Sequence, residues 1–327
     1  MKTLLCLVFV LVIVIGGISL GCKPAAPPET IEWKYLSSWD HDDIPWVDRV
    51  NERAQGRLKI VRAGGSEAVD PRQQLQPLTE GIFDALNSTP SYHAGQVPAG
   101  MVGNLLFASA KERRASGLVD TMDEMYQKKA NAKLVGDFPM ADKYHIFLGK
   151  KKIDKADLTG LKIRTTPIYD PLVNELGGAS VAVSYAEVYT AMERGVVDGF
   201  CFPLSAVMDF KLNEVTEYVV MPGFGEAMTD IYVNLDSWNK LPKDLQDLVM
   251  KVTMEMEEEF RLIFAQKYDS DLAEMKRGGV ELIELAPSEA DKLLTAYYER
   301  SWEKLVLQAD PVYGPGLKEA ADRIVKK

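Results

Sequence analysis

Apolar positions along the chain follow two alternating rhythms. Short runs rich in β-branched and aromatic residues, over 31–39, 57–62 and 82–86, are separated by stretches with helical spacing, one through Trp46, Val50 and Ala54 and another over 73–80. The alternation returns with strand-like runs at 133–138, 144–148, 161–165, 180–183 and 196–202. Between them, a helix over 169–176 stops at Gly177-Gly178, and Ser184 with Glu187 three residues on forms a capping-box pattern for a helix that ends at Gly195. Strands alternating with helices predict α/β lobes in which crossover helices cover parallel strands. Ligands of such open sheets sit beyond the carboxyl ends of the strands. Segments 38–43, 64–70 and 87–92 are therefore candidate cleft loops.

The longest periodic signal runs from Pro242 to about Arg277. Leu245, Leu248, Val249, Val252, Met256, Phe260, Ile263, Phe264, Tyr268, Leu272 and Met275 recur at three- and four-residue steps. A helix of that length is about 50 Å long, more than one lobe needs, so it is expected to brace two. Two helices with a kink are the alternative; no proline or glycine lies inside the segment to cause one. A strand at 280–285 and helices from Ser288 onward finish the chain.

Composition narrows the class. The 327 residues suit two lobes rather than one core, and a formal net charge of -10 argues against nucleic acid or anionic lipid as a partner. An anionic ligand would then need a focused cation inside a cleft. Three histidines (His41, His93, His145) are scattered without metal-site spacing, and no Gly-x-Ser-x-Gly elbow, phosphate loop or paired His/Cys set is present. The expectation is a protein that is not an enzyme and needs no metal or cofactor.

The N-terminus reads as an address. Lys2 precedes an uncharged run over 4–20, and then comes Gly21-Cys22. This pattern predicts a signal peptide over 1–21 with Cys22 as the lipidated residue of a lipoprotein, although Ser19 stands where that motif usually has a large aliphatic residue. An uncleaved membrane anchor is the alternative. Residues 22–30 form a tether. Either way the body lies in the periplasm or on the outer face of the cell membrane, held through its N-terminal anchor. Cys201 is then alone in the body and is expected to be a small buried apolar residue.

Several ordered motifs carry a resemblance. Asp157-Leu-Thr-Gly160-Leu-Lys-Ile-Arg164-Thr, then Glu187-Val-Tyr-Thr-Ala-Met-Glu-Arg-Gly195-Val-Val-Asp198-Gly199, then Tyr232-Val-Asn234 with Trp238 and Leu241-Pro242, together resemble the solute-binding proteins of tripartite ATP-independent periplasmic (TRAP) transporters. Gly81-Ile-Phe-Asp84 fits the segment before the first cleft loop. The resemblance implies a two-lobed α/β periplasmic binding protein fold with mixed sheets, a ligand cleft between the lobes and the long helix bracing both. Expected divisions are 31–141 with 229–275 for one lobe and 142–228 with 276–327 for the other. It also implies large and small membrane subunits that use an ion gradient. A binding protein of an ABC importer or a ligand-sensing lipoprotein would share the two-lobed plan.

By the same resemblance, Arg164 clamps a ligand carboxylate, for which a permanently charged planar fork of donors is suited. Members of the family often have an asparagine just after the Asp-Gly pair. Here the run is Asp198-Gly199-Phe200-Cys201-Phe202-Pro203, so a second anchor would fall to Asn234 or Asn87. A second arginine found upstream in some members is absent too; the stretch 144–149 offers His145. Trp39, Tyr92, Tyr169, Phe200, Phe202 and Tyr232 are the aromatic candidates near the cleft. One clamp within an aromatic enclosure predicts a small organic acid, a monocarboxylate with an apolar or aromatic body.

Overall fold

In the computed structural model, residues 30–39 and 44–325 are described. The signal peptide, Cys22 and all but the last residue of the tether lie outside them. Among the described residues the strands form two mixed sheets. The first has the order β2-β1-β3-β10-β4, from β1 (Ile31–Ser37), β2 (Leu58–Gly64), β3 (Ala85–Ser88), β4 (Ala132–Pro139) and β10 (Met228–Asn234). The second has the order β11-β9-β5-β8-β6-β7, from β5 (Tyr144–Leu148), β6 (Lys162–Thr165), β7 (Ala179–Ala182), β8 (Gly199–Pro203), β9 (Tyr218–Met221) and β11 (Glu281–Glu284). In each, parallel pairs (β1 with β2 and β3; β6 with β7 and β8) adjoin an antiparallel strand, β10 or β5. Such an antiparallel strand lets the chain return between lobes.

The strand expected over 82–86 begins at Ala85 instead. The Ile82 amide donates to Pro77 O at 2.9 Å, winding residues 81–84 onto the end of the preceding helix. Ile82 is accordingly left exposed.

The long helix runs unbroken over Lys243–Arg277. Leu245, Val249, Val252, Met256 and Phe260 are buried against the first sheet's core with Trp46, Val135 and Ile231. Trp46 Nε1 donates to Thr253 Oγ1 at 2.8 Å. Further along, Tyr268 meets His145 of β5 at 2.9 Å and Lys267 donates to Ser205 O at 3.1 Å. One helix thus holds elements of both sheets.

The backbone crosses between the sheets at 140–143 and again at 222–227. These crossings bond to each other: Met140 N to Ala227 O at 3.0 Å, Ala227 N to Asp142 O at 2.7 Å, and Phe224 N to Tyr144 O at 2.9 Å. The chain's end, over 276–325, packs on both sides. β11 joins the second sheet, but the helix Gly314–Val325 packs on Ala110–Ser116 and Leu118–Ala130, helices of the first-sheet side, where Arg323 Nη1 donates to Ser116 O at 2.9 Å. Its apolar stripe, Leu317, Ala320 and Ala321, finds its core there.

Candidate functional site

Arg164 is the third residue of β6, between β7 and β8, and faces a partly open cavity of about 140 Å³ lined by residues from both sheets' sides. It is 3% exposed. Its Nε donates to Val183 O at 3.0 Å and its Nη1 to Cys201 O at 3.2 Å. Its guanidinium carbon lies 5.2 Å from the centre of the Phe202 ring. Among the described residues no carboxylate reaches ion-pair distance and Nη2 has no partner. Burial lowers its pKa. A buried cation without a counter-ion is costly, so an arginine held this way is set up for an anion from outside.

The first lobe contributes Trp39, Ser91 and Tyr92 to the cavity, from the loops after β1 and β3. Trp39 contacts Tyr92 within its own lobe at 5.8 Å between ring centres, and Tyr185 across the cavity at 6.3 Å. Burial pushes Tyr92 up to about 12, so it stays a neutral donor. The first crossing supplies Met140, the start of β10 Met228, and the long helix Phe264. Among the charged lining residues Arg164 is the sole cation, facing Asp142 and Asp209. Asp209 is tied to Lys267 at 3.1 Å. Asp142 is fully buried; it accepts from Leu204 N and Ser205 N at 3.2 Å each and from Ser205 Oγ at 2.6 Å, and burial raises it to about 7. A second recess of about 310 Å³ shares Arg164, Ser91, Tyr92, Thr166 and Tyr185.

The structure brings Trp39, Tyr92, Arg164, Tyr169 and Phe202 together on this cavity. It places the other candidates elsewhere, each with a local reason. Phe200 is fully buried, stacked on Phe147 at 5.0 Å, because β8 is covered on both faces. Asn87 donates to Thr229 Oγ1 at 2.8 Å and to Asp230 O at 3.2 Å, bridging β3 to β10. Asn234 caps the helix Leu235–Lys240, accepting from Ser237 N at 3.0 Å and donating to Leu78 O at 2.9 Å. His145 is held between Val220 O at 3.0 Å and Tyr268, and burial lowers it to about 4. Tyr232 donates to Asp230 at 2.6 Å within the first lobe. Cys201 is buried, and burial raises its pKa.

Residues that sequence reasoning passed over are Met140, Tyr144, Tyr185, Met228 and Phe264. Phe264 is visible as an apolar helix position, but nothing local marks it as facing a cavity.

Two α/β halves enclosing a cavity with a buried, uncompensated arginine on its wall define the class of a two-lobed solute-binding protein. Residues 32–306 match the family model for bacterial extracellular solute-binding proteins, family 7 (DctP). The chain belongs to that family, the TRAP-type solute-binding proteins. It is 26% identical over 281 residues to a monocarboxylate 2-oxoacid-binding periplasmic protein of Nostoc sp., covering 77% of this chain and 73% of that protein. It is also 26% identical over 229 residues to a C4-dicarboxylate-binding periplasmic protein of Rhodobacter capsulatus, covering 68% and 64%. The fold is shared with a TRAP periplasmic solute-binding protein of Desulfovibrio salexigens with bound orotic acid: TM-score 0.80, 19% identity, 91% of this chain and 99% of the other.

Proposed function

We propose that this protein is the extracytoplasmic binding component of a TRAP transporter and captures a small organic acid, a monocarboxylate with an apolar or aromatic body. The observation that carries the reading is Arg164, buried on the cavity wall with no acidic partner among the described residues. Its fork fits one carboxylate, and a ligand anion would supply the missing counter-charge. The rest of the lining favours one acid over two. Arg164 is the sole cation among the charged lining residues, so a second carboxylate would find no cationic partner there, while Trp39, Phe202, Phe264 and Met228 offer apolar area. Relatives that bind 2-oxoacids, dicarboxylates and orotic acid support organic acids as the general class.

The loaded protein would deliver its acid to large and small membrane subunits for uptake driven by an ion gradient. Gly21-Cys22 after the apolar run supports a lipid anchor at Cys22. Cys22→Ser should abolish metabolic labelling with a fatty acid, and equal labelling would remove the anchor from the reading. The ligand class is tested by calorimetry on matched sets: benzoate, phenylacetate and 4-methylpentanoate, their amides, and malonate and succinate. Monocarboxylates should bind most tightly and amides scarcely. A dicarboxylate that wins would overturn the monocarboxylate reading.

A further inference from the structure

The Tyr169 hydroxyl is out of keeping with its surroundings. Its ring is 4% exposed, set edge-on to Tyr144 at 4.9 Å and to Phe224 at 6.3 Å. Phenol hydroxyls packed in protein normally find a partner or open onto a cavity, and most of the tyrosines around it take the first course. Tyr144 accepts from Asn104 Nδ2 at 2.7 Å, Tyr297 donates to Asn104 O at 3.3 Å, and Tyr232 donates to Asp230 at 2.6 Å. Tyr169 has no such partner among the described residues, and it lines the cavity with Arg164. Burial raises its pKa well above the usual range, so it is a neutral donor at any ordinary pH.

Arg164 keeps three of its five N–H donors free, one on Nη1 and two on Nη2, which can meet a carboxylate edge without filling all of its acceptor sites. Nε and Nη1 are engaged by backbone carbonyls, which fixes the side chain and leaves Nη2 unengaged. A carboxylate has two oxygens, each able to accept more than one hydrogen bond. β8, which passes beside Arg164, supplies no strong side-chain donor: it offers Phe200, Phe202 and the buried thiol of Cys201. We infer that the Tyr169 hydroxyl is the second ligand-contacting donor of the carboxylate subsite, beside Arg164. The inference rests on the carboxylate reading of Arg164. It deepens that reading by giving the carboxylate a second, neutral donor beside the charged one.

The test is Tyr169→Phe, which deletes one oxygen. Binding of benzoate, phenylacetate and 4-methylpentanoate is measured by calorimetry, and the melting temperature of the ligand-free protein is measured in parallel. For whichever of these acids binds the wild type most tightly, affinity should fall about 10- to 100-fold, the range for a hydrogen bond to a charged group. The ligand-free variant should melt at the wild-type temperature or above, because the deleted hydroxyl has no protein partner to lose. Unchanged affinity overturns the inference, and so does a ligand-free variant that melts lower or fails to fold, since the hydroxyl would then serve the protein. Arg164→Ala separates the two levels. If it loses binding while Tyr169→Phe binds like wild type, only the present inference falls. If Arg164→Ala binds like wild type, or none of the three acids binds the wild type, the carboxylate reading falls and takes this inference with it.

Discussion

The Tyr185 hydroxyl, on the second lobe, donates to Ser66 Oγ on the first across 3.0 Å. The contact spans the cleft and touches the loop after β2, so it exists only while the lobes face each other at this separation. Tyr185→Phe removes one hydrogen bond, a net loss of about 0.5–1.5 kcal/mol. The loss should appear in release rather than capture, as a dissociation rate about 2- to 10-fold faster with little change in association. Stopped-flow fluorescence can follow it, with Trp39 beside Tyr185 as the reporter. Identical release rates would mean that the pair does not hold the closed form.

Arg164→Ala should weaken binding of an acid by about 2–5 kcal/mol, the cost of truncating one partner of a buried charge pair. Arg164→Lys should recover only part of this, because one ammonium cannot reproduce a planar fork already aligned by two carbonyls. Calorimetry on the three proteins with one acid decides the matter. Full recovery by lysine would point to charge alone rather than geometry.

Phe200 and Phe202 stand on the same side of β8, yet the structure gives them different work. Phe202 lies under the guanidinium and on the cavity wall, whereas Phe200 is sealed against Phe147. Phe202→Leu should cost affinity by about 1–2 kcal/mol through the lost ring–cation contact, with a small effect on melting. Phe200→Ala should cost about 3–5 kcal/mol of folding stability by opening a core cavity. Urea denaturation alongside calorimetry separates them, and equal effects of both substitutions on affinity would contradict the assignment.

Asp142 makes stability depend on pH in an unusual direction. Its pKa is raised from 3.8 to about 7, so the folded protein holds this proton more tightly than the unfolded chain does. That stabilisation is fully present below about pH 4 and is lost as pH rises through about 7, on the order of 1.4 kcal/mol per pH unit over that window. Asp142→Asn cannot titrate. The difference in unfolding free energy between the two proteins should therefore shift in the variant's favour from pH 4.5 to 7.5. A difference that stays flat with pH would show that Asp142 ionises normally.

How much of this could be read from the chain depends on how local each signal is. The helix Lys243–Arg277 is legible because three- and four-residue spacing continues for ten turns without proline or glycine, and periodicity needs no knowledge of the partner surface. Strands alternating with helices predict the parallel pairs in each sheet, whereas the antiparallel β10 and β5 follow from no local pattern. The ends of elements are less legible: where β3 starts depends on whether the Ile82 amide finds a carbonyl behind it. Asn234 and His145 looked available as anchors because their types can bind acids. Yet Asn234 heads a helix, with Ser237 placed for its cap. His145 is flanked by Tyr144, Ile146 and Phe147 in a strand buried on both faces. Met140 and Met228 carry no signal at all. They sit in or just after the crossings, where neighbours are set by how one sheet sits over the other.

The 35-residue helix that bonds to Trp46 at one stage and His145 at another also presents Phe264, near its middle, to the cavity. It behaves as a beam about 50 Å long, loaded at the centre. An occupant that displaces the Phe264 ring presses on that beam, and helices of this length yield by bending. With arms of roughly 25 Å, a bend of about 10° moves one end by about 4 Å. A small molecule held between the sheets would in this way alter the protein's outline at two distant surfaces, where it could be sensed without being touched.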